Sequence, residues 1–412
     1  MKKSFSQRFN LSLFVFIWHG FFLSLTMSMI DFNTVFPALI TELTDNKIIF
    51  GVLYSILLGA PLFFNAIFGY FMQYYPYKRK FLMLGIYLRS ISFLGMALFT
   101  YYFAQRNPLV VIISLFFWIF LFSISGGFAG LAYTDIIGKI FKKEERGKVY
   151  TYKQFFGSIA ALLGGLIIAK IFSPGYIEYP LNYTLSFSIG SAGLFIAALA
   201  FWFIKEPQAK VTNQQKEPLK TFIKNIPVLL KKDEHFLHFI IVENLSSFSL
   251  MILPFYIVFA KDTFLISESY VGHYLLFQII GTIFSNIFWG YIFNKYSSKT
   301  VVSTCIFLGA IIPIVAIVLS FFGPNLYSIV FFLVGFVISG RRVGFDPYFL
   351  EIAPEEERSI YLGVRGTLNF MTVIMPTIGG LFIQTMGYYT TFIIVTTVML
   401  TDLYLIKHKM VS

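Results

Sequence analysis

Ionisable side chains stand where this 412-residue sequence is otherwise apolar. Asp31, Asp135, Glu243 and Asp346 lie inside long hydrophobic runs, as do Arg89, Lys153, Lys170, Arg341, Arg342 and Arg365. A charge at the centre of a bilayer costs about 2.5–3.5 kcal/mol even on the lenient insertion scale, so such residues face a cavity or a partner. Their chemistry is proton exchange and charge recognition. A buried carboxyl titrates nearer neutrality than an exposed one. A guanidinium grips carboxylate or phosphate through two parallel hydrogen bonds.

Asp31 is flanked by Ser28, Asn33 and Thr34. It reads either as a protonatable carboxylate that binds a proton or a cationic substrate, or as a helix-end acid wetted by an outer vestibule. Glu243 is followed by Asn244, Ser246, Ser247 and Ser249, and Leu253-Pro254 predicts a kink beyond them. A polar stretch before a helix break is a substrate-site signature, because freed carbonyls become available to a ligand. The other reading of Glu243 is a salt bridge with a basic residue of the opposite half. In SGRRVGFDPYF, Asp346 stands four residues after Arg342, a spacing that allows an ion pair on one helix face. Arg342 and Asp346 then form a cytoplasmic latch, with Glu351 and Arg365 close in depth, and Arg341 is left to contact a substrate. Asp135, Arg146 and Lys153 repeat the theme earlier in the chain as gate contacts, and Arg89 reads as a structural partner. His19 reads as a packing residue.

The elements that position these groups are long apolar helices. The chain is 57% hydrophobic, 20% aromatic and only 13% charged, with 52 Phe. A soluble domain is about 25% charged, so the solvent of this chain is a bilayer. A run of about 20 apolar residues crosses the roughly 30 Å hydrocarbon core. Spans are expected at 11–36, 48–72, 81–103, 108–135, 150–172, 182–204, 236–260, 268–293, 300–322, 325–350, 359–385 and 387–406. All are expected to be helical, since lone strands leave backbone groups unpaired in lipid, and the runs are too long for a β-barrel.

The net charge of +12 could speak for nucleic acid, but its placement speaks for a membrane. Among 32 Lys and Arg, only Lys47, Arg106 and Lys261 fall in loops assigned to the far side; those outside the spans otherwise fall in alternate loops and the termini. That is the positive-inside pattern, and it puts both termini in the cytoplasm. The first apolar run lacks a small-residue cleavage site and reads as a span rather than a signal peptide. The single Cys305 and the absence of paired His spacing give no metal site. No GxxxxGK[ST] or GxSxG motif is present, so neither ATP hydrolysis nor nucleophilic catalysis is expected. No cofactor is expected either.

The sequence also repeats itself. GYFMQYYPYK at Gly69–Lys78 returns as GYIFNKYSSK at Gly290–Lys299. Glu145-Arg146, then Lys153, then Gly164-Gly165 returns as Glu357-Arg358, Arg365 and Gly379-Gly380. Two matches in the same order indicate duplication. The expected organisation is a six-helix bundle over 1–204, a basic cytoplasmic linker over 205–235, and a second bundle over 236–412. Pro218–Lys232 in the linker suits a helix on the lipid surface and equally a tether held near anionic headgroups.

On these residues the sequence resembles the major facilitator superfamily. The basic motif after the second span reads Gly69, Gln73, Pro76, Lys78, Arg79, Lys80, and its second copy Gly290, Asn294, Ser297, Lys299. Glu144, Glu145, Arg146 and Glu356, Glu357, Arg358 carry the acidic-basic run after the fourth and tenth spans. The resemblance implies an all-α polytopic membrane protein, twelve transmembrane helices in two pseudo-symmetric six-helix bundles. It further implies that spans one, four, seven and ten, with Asp31, Asp135, Glu243 and Asp346, line a central cavity. Lys78, Arg79, Arg146, Arg358 and their neighbours would form the cytoplasmic gate. The family's acid in the basic motif is Gln73 here and Asn294 in the second half, so the ion-pair latch is not expected in its usual form. Ala160-Ala161 replace the Gly-Pro pair of many drug antiporters, whereas Met375-Pro376-Thr377-Ile378-Gly379-Gly380 keeps the Pro and paired Gly of the eleventh span.

The expected function is secondary-active transport of a small solute by alternating access, not enzymatic catalysis, with protons taken up at Asp31 or Glu243. The solute is an amphiphilic or cationic compound, or else an anionic metabolite held by Arg341. A non-transporting sensor or scaffold of the same fold is the alternative from another class. The expected setting is a cell membrane of the bacterial inner-membrane type, and the expected state is a monomer.

Overall fold

The computed structural model describes residues 2–72, 75–208, 219–354 and 358–409. Among them the secondary structure is helical throughout, without strands. The first part of the chain forms α1 (Lys2–Ile30), α2 (Val35–Leu43), α3 (Lys47–Met72), α4 (Arg79–Phe103), α5 (Pro108–Ile140), α6 (Lys143–Ile171) and α7 (Leu181–Leu199), which ends in a short 3-10 turn. Next come α8 (Leu219–Lys232), α9 (Glu234–Ser246), α10 (Phe248–Ile252), α11 (Phe255–Phe264), α12 (Ser269–Lys295), α13 (Ser298–Leu319), α14 (Pro324–Ile352), α15 (Arg358–Leu368) and α16 (Met371–Lys409). The starts have local causes. Pro108 and Pro324 open α5 and α14, where a missing N–H costs nothing. Asp233 and Ser297 accept the N–H groups of Phe236 and Thr300 as N-caps. The linker segment Leu219–Lys232 is a helix.

Eleven of these helical stretches are long and apolar enough to cross a membrane. The last, Val364–His408, has 45 residues. At 1.5 Å per residue it is about 68 Å long, enough for two crossings of a roughly 30 Å core. It is broken at Gly387 (φ 81, ψ 172), a left-handed conformation that favours a residue without Cβ. The all-α, multi-pass fold read from the sequence is therefore the fold found.

Three spans are discontinuous, among them the eleventh, between Leu368 and Met371. Span one breaks between Ile30 and Val35, and span seven breaks twice, at Ser247 and at Leu253-Pro254. The second of these is the kink that Pro254 dictates, because proline lacks the N–H that would continue the ladder. The joint at Ser247 has no such sequence mark.

The chain divides into two compact units. Unit 1 comprises Met1–Asp45, Ile56–Thr212 and Ser267–Leu276; unit 2 comprises Asn46–Ser55, Asn213–Ile266 and Phe277–Ser412. In unit 1, α1 packs on α6 and α7, and α4 on α5 and α7. Lipid is as apolar as leucine, so close packing and interhelical hydrogen bonds must hold such helices together. Ser90 and Ser191 each donate to the other's carbonyl at 2.8 Å, and Thr26 donates to the Gly190 carbonyl at 3.1 Å. In unit 2, α13 packs on α14 and α16, and α16 on α9 and α10. The Trp289 indole donates to the Phe336 carbonyl at 3.0 Å, and Thr396 to that of Ala310 at 3.0 Å. Large side chains such as Phe63, Ile287 and Phe321 are more than 70% exposed, as a surface solvated by lipid requires.

Candidate functional site

The ionisable groups collect into one cluster in each unit, with a few held apart. In unit 1 the cluster sits at the start of α4. Lys78 Nζ lies 3.0 Å from Asp135, and Lys139 lies 2.5 Å from Asp135 and 2.8 Å from Glu206. Glu206, almost wholly buried, accepts the backbone N–H groups of Lys78 (2.8 and 2.9 Å) and Arg79 (2.8 Å). A carboxylate there satisfies two orphan donors and meets the positive end of the α4 dipole. The Arg79 guanidinium donates to the Ile204 carbonyl at 2.7 Å. Acids from α5 and from beyond α7 thus hold the basic motif, which carries the amide Gln73 instead of an acid of its own; Gln73 itself lies outside the described residues.

Arg146 stays with its own turn. It donates to the carbonyls of Gly138 (2.9 Å) and Phe141 (3.2 Å) and caps the end of α5. Lys153 lays its stem on Gly20 and sets its ammonium 4.5 Å from the Tyr133 ring centre. His19 is buried against Tyr133 and Phe201. Asp31 is half-buried at the break in span one, where its carboxylate accepts the Asn33 N–H (3.0 Å) and the Thr34 hydroxyl (2.9 Å). Arg89 stacks on Phe122 at 4.2 Å and points an Nη at the Met27 sulfur; its Nε has no partner, and no carboxylate pairs with it among the described residues. The structural partner expected for Arg89 is thus an aromatic ring rather than an acid.

In unit 2 the cluster lies below the joint in span seven. Glu243 is buried and receives the Arg365 guanidinium at 2.9 and 3.1 Å from Nε, with a further Nη contact at 2.5 Å. Arg365 also reaches Asp346 at 2.9 Å and lies over the Phe349 ring. Asp346 therefore meets Arg365, from a helix 19 residues along the chain, and not Arg342 one turn away; Arg342 is exposed. The basic partner of Glu243 comes from its own unit, not from the opposite half. Arg341 turns to the joint, its Nη1 donating to both the carbonyl and the hydroxyl of Ser246 at 3.0 Å. Asn244 donates to the Ile240 carbonyl at 2.8 Å and keeps a buried amide oxygen without a partner. Glu351 accepts the Ser298 hydroxyl at 2.6 Å. Arg358 begins α15, and its side chain lies outside the described residues, as does that of Glu144; Glu356 and Glu357 lie outside them altogether.

A third group of contacts, in unit 2, gathers the start of α3. Lys47 Nζ lies 2.9 Å from Asp262, which also accepts the Tyr388 hydroxyl at 2.7 Å. The Lys47 N–H donates to Gln384 at 2.9 Å. Gly51 and Gly380 let backbones meet: a Cβ on Gly51 would come within 2.2 Å of the Pro376 carbonyl oxygen, and one on Gly380 within 2.2 Å of that of Lys47.

This helical layout matches one family over nearly the whole chain. The family model for the Major Facilitator Superfamily fits residues 17–257 and again 239–407. The chain belongs to the major facilitator superfamily. Among solved structures, this major facilitator is similar to a D-xylose-proton symporter (TM-score 0.70, 15% identity, 98% of each chain covered). It is similar to the nucleoside transporter NupG (0.69, 14%, 97% of this chain and 98% of that one). It is also similar to a POT family transporter in complex with 5-aminolevulinic acid (0.66, 13%, 97% and 95%). No curated protein sequence matches it. The family makes it a multi-pass membrane protein of the secondary-transporter class.

Two acids of this major facilitator escape sequence reasoning. Glu206 sits in the linker, where charges are usually solvated; only its place one residue before Pro207, just past a span, marks it. Asp402 stands near the end of the last span, without neighbouring polar residues other than Thr401 to draw notice.

Proposed function

We propose that this chain is a proton-coupled secondary transporter that moves a small solute by alternating access, with Glu243 as the carboxylate that takes up the proton. The observation that carries the reading is the Glu243–Arg365–Asp346 triad in unit 2. One guanidinium is shared by a buried acid and an exposed one. Buried ion pairs in a membrane unit are expensive and cluster on ion and substrate pathways. A proton on Glu243 removes one of the two claims on Arg365 and leaves Asp346 the other, which changes how α9, α14 and α15 are tied. In this reading 1–204 and 236–412 are the moving bundles and 205–235 joins them. Asp31 remains the second candidate carboxylate, already serving the backbone turn in span one.

The test uses purified protein in proteoliposomes. A panel of sugars, nucleosides, amino acids, organic anions and amphiphilic cations is screened by thermal shift, since a ligand of the folded state raises its apparent stability. Stabilising solutes then drive uptake with an internal pH dye. Glu243→Gln is expected to abolish solute-driven proton movement and keep the thermal shift. Unchanged proton movement in that variant removes Glu243 from the coupling role. The absence of any solute or proton flux in the parent protein favours the non-transporting scaffold.

One observation favours an anionic solute as a second reading. Arg89 is a cation inside the helices of unit 1 with no acid against it among the described residues, whereas Arg341 is engaged by Ser246. A solute carboxylate or phosphate would supply the missing charge. Arg89→Gln is then expected to lose the thermal shift given by anionic solutes and to keep any shift given by neutral ones. An anion shift that survives the substitution excludes this reading.

A further inference from the structure

Among the described residues of unit 2, one buried acid has no partner. Asp402 on α16 has no solvent exposure, and neither carboxylate oxygen has a hydrogen-bond partner. Other acids in the helices of this unit are engaged: Glu243 and Asp346 by Arg365, Glu351 by Ser298 and Asp262 by Lys47, while Glu234 is exposed to solvent. An ionised carboxylate cannot rest in such a place without a cation or donors, so it must carry a proton or find a charge. The helices around α16 bring few ionisable groups toward it. The short α10 has none. Arg341 on α14 acts on Asp402 electrostatically, and Cys305 on α13, Glu243 on α9 and Arg365 on α15 act in turn on Arg341. Arg341 is spent elsewhere, on the carbonyl and hydroxyl of Ser246. That carbonyl belongs to the residue at which α9 ends and span seven breaks.

We infer that Asp402 is a proton-binding site, and that its occupancy decides whether Arg341 holds the Ser246 joint of span seven or pairs with the carboxylate of the last span. The arrangement seen, with Arg341 on Ser246 and Asp402 unpaired, is that of the neutral acid. Loss of the proton from Asp402 leaves a buried anion on which the charge of Arg341 acts. Arg341 then swings to it, still charged, and the Ser246 carbonyl loses its donor. The chemistry is addition and removal of one proton at a carboxylate oxygen. Its use in transport rests on the proposed function; the binding of the proton does not.

The test reads the proton directly, in purified full-length protein. Infrared difference spectra between acid and alkaline pH are expected to show the carbonyl stretch of a protonated carboxylic acid that disappears on alkalinisation. Hydrogen exchange at 246–254 is expected to quicken over the same range. Asp402→Asn should remove the band and make that exchange indifferent to pH, while Glu234→Gln, at an exposed acid of α9, leaves both in place. A band and an exchange profile unchanged by Asp402→Asn overturn the inference. Should that variant fail to fold, Arg341→Gln carries the test: without the cation, the acid band should persist at alkaline pH where the parent protein has lost it. A band lost at the parent's pH overturns the inference equally. None of these measurements uses flux. A protein that shows the Asp402 titration but drives no solute movement counts against the transporter reading alone. Solute-driven flux with the titration unaffected by Asp402→Asn counts against this site alone.

Discussion

Arg365→Ala is expected to lower the stability of the folded chain by about 3–5 kcal/mol, the usual result of removing one partner from a buried ion pair. The reason is the state in which it leaves Glu243. That carboxylate is 3% exposed and takes its cation from Arg365 through several hydrogen bonds. Without the guanidinium, a bare anion sits among apolar side chains and must be neutralised or rewetted. The variant also strips a cation from the faces of Phe239 and Phe349, adding a smaller loss. Thermal unfolding in detergent checks the claim, and a double variant apportions it. Adding Glu243→Gln to Arg365→Ala should recover most of the lost stability, because an amide is cheaper to bury than an unpaired charge. An equal loss with and without the second substitution shows that packing, not charge, is responsible.

The other large effect belongs to Gly51 and Gly380. Each stands where a Cβ would come within 2.2 Å of a carbonyl oxygen on the facing backbone. Backbone cannot step aside as a flexible side chain can, and overpacking of this kind costs about 1–3 kcal/mol or more. Gly51→Leu and Gly380→Leu should therefore both part the start of α3 from α16 and break the set of contacts that Lys47 makes with Asp262 and Gln384. The readout is chemical. Cys305 is buried, so the parent protein gives little labelling by an impermeant maleimide. A cysteine placed by Phe50→Cys, at a buried position next to Gly51, should label slowly alone and at least tenfold faster when combined with either leucine. Equal labelling rates would show that the two backbones do not meet as described.

How much of this was legible beforehand follows from the kind of signal each feature leaves. The spans are readable because lipid demands unbroken apolar length, and the duplication because two motifs recur in order. Pro254 announces its own kink. The joint at Ser247 leaves no mark, since serine is ordinary in a membrane helix; the cation that meets it, Arg341, is 95 residues away along the chain but within hydrogen-bond distance in the fold. The same remoteness explains why Asp346 pairs with Arg365. Helical spacing offers Arg342 as a neighbour, yet Arg342 is exposed, and the choice is made by how α14 and α15 pack. Asp31 shows the converse. Its polar setting beside Asn33 and Thr34 offers it as a proton or cation site, and in the fold its carboxylate accepts the Asn33 N–H and the Thr34 hydroxyl, as a short polar side chain at a turn commonly does. Asp402 could be listed from sequence as a lone acid near a helix end, but its burial depends on contacts with α13, α9 and α10 that no local pattern encodes.

The anchoring of Glu206 has a practical corollary for anyone cutting the polypeptide in two. Fragments divided just after Phe203 would leave the first piece without the carboxylate that tops α4 and steadies Lys139. Scission beyond Thr212, where the first compact unit gives way to the second, keeps that clasp with the piece it closes.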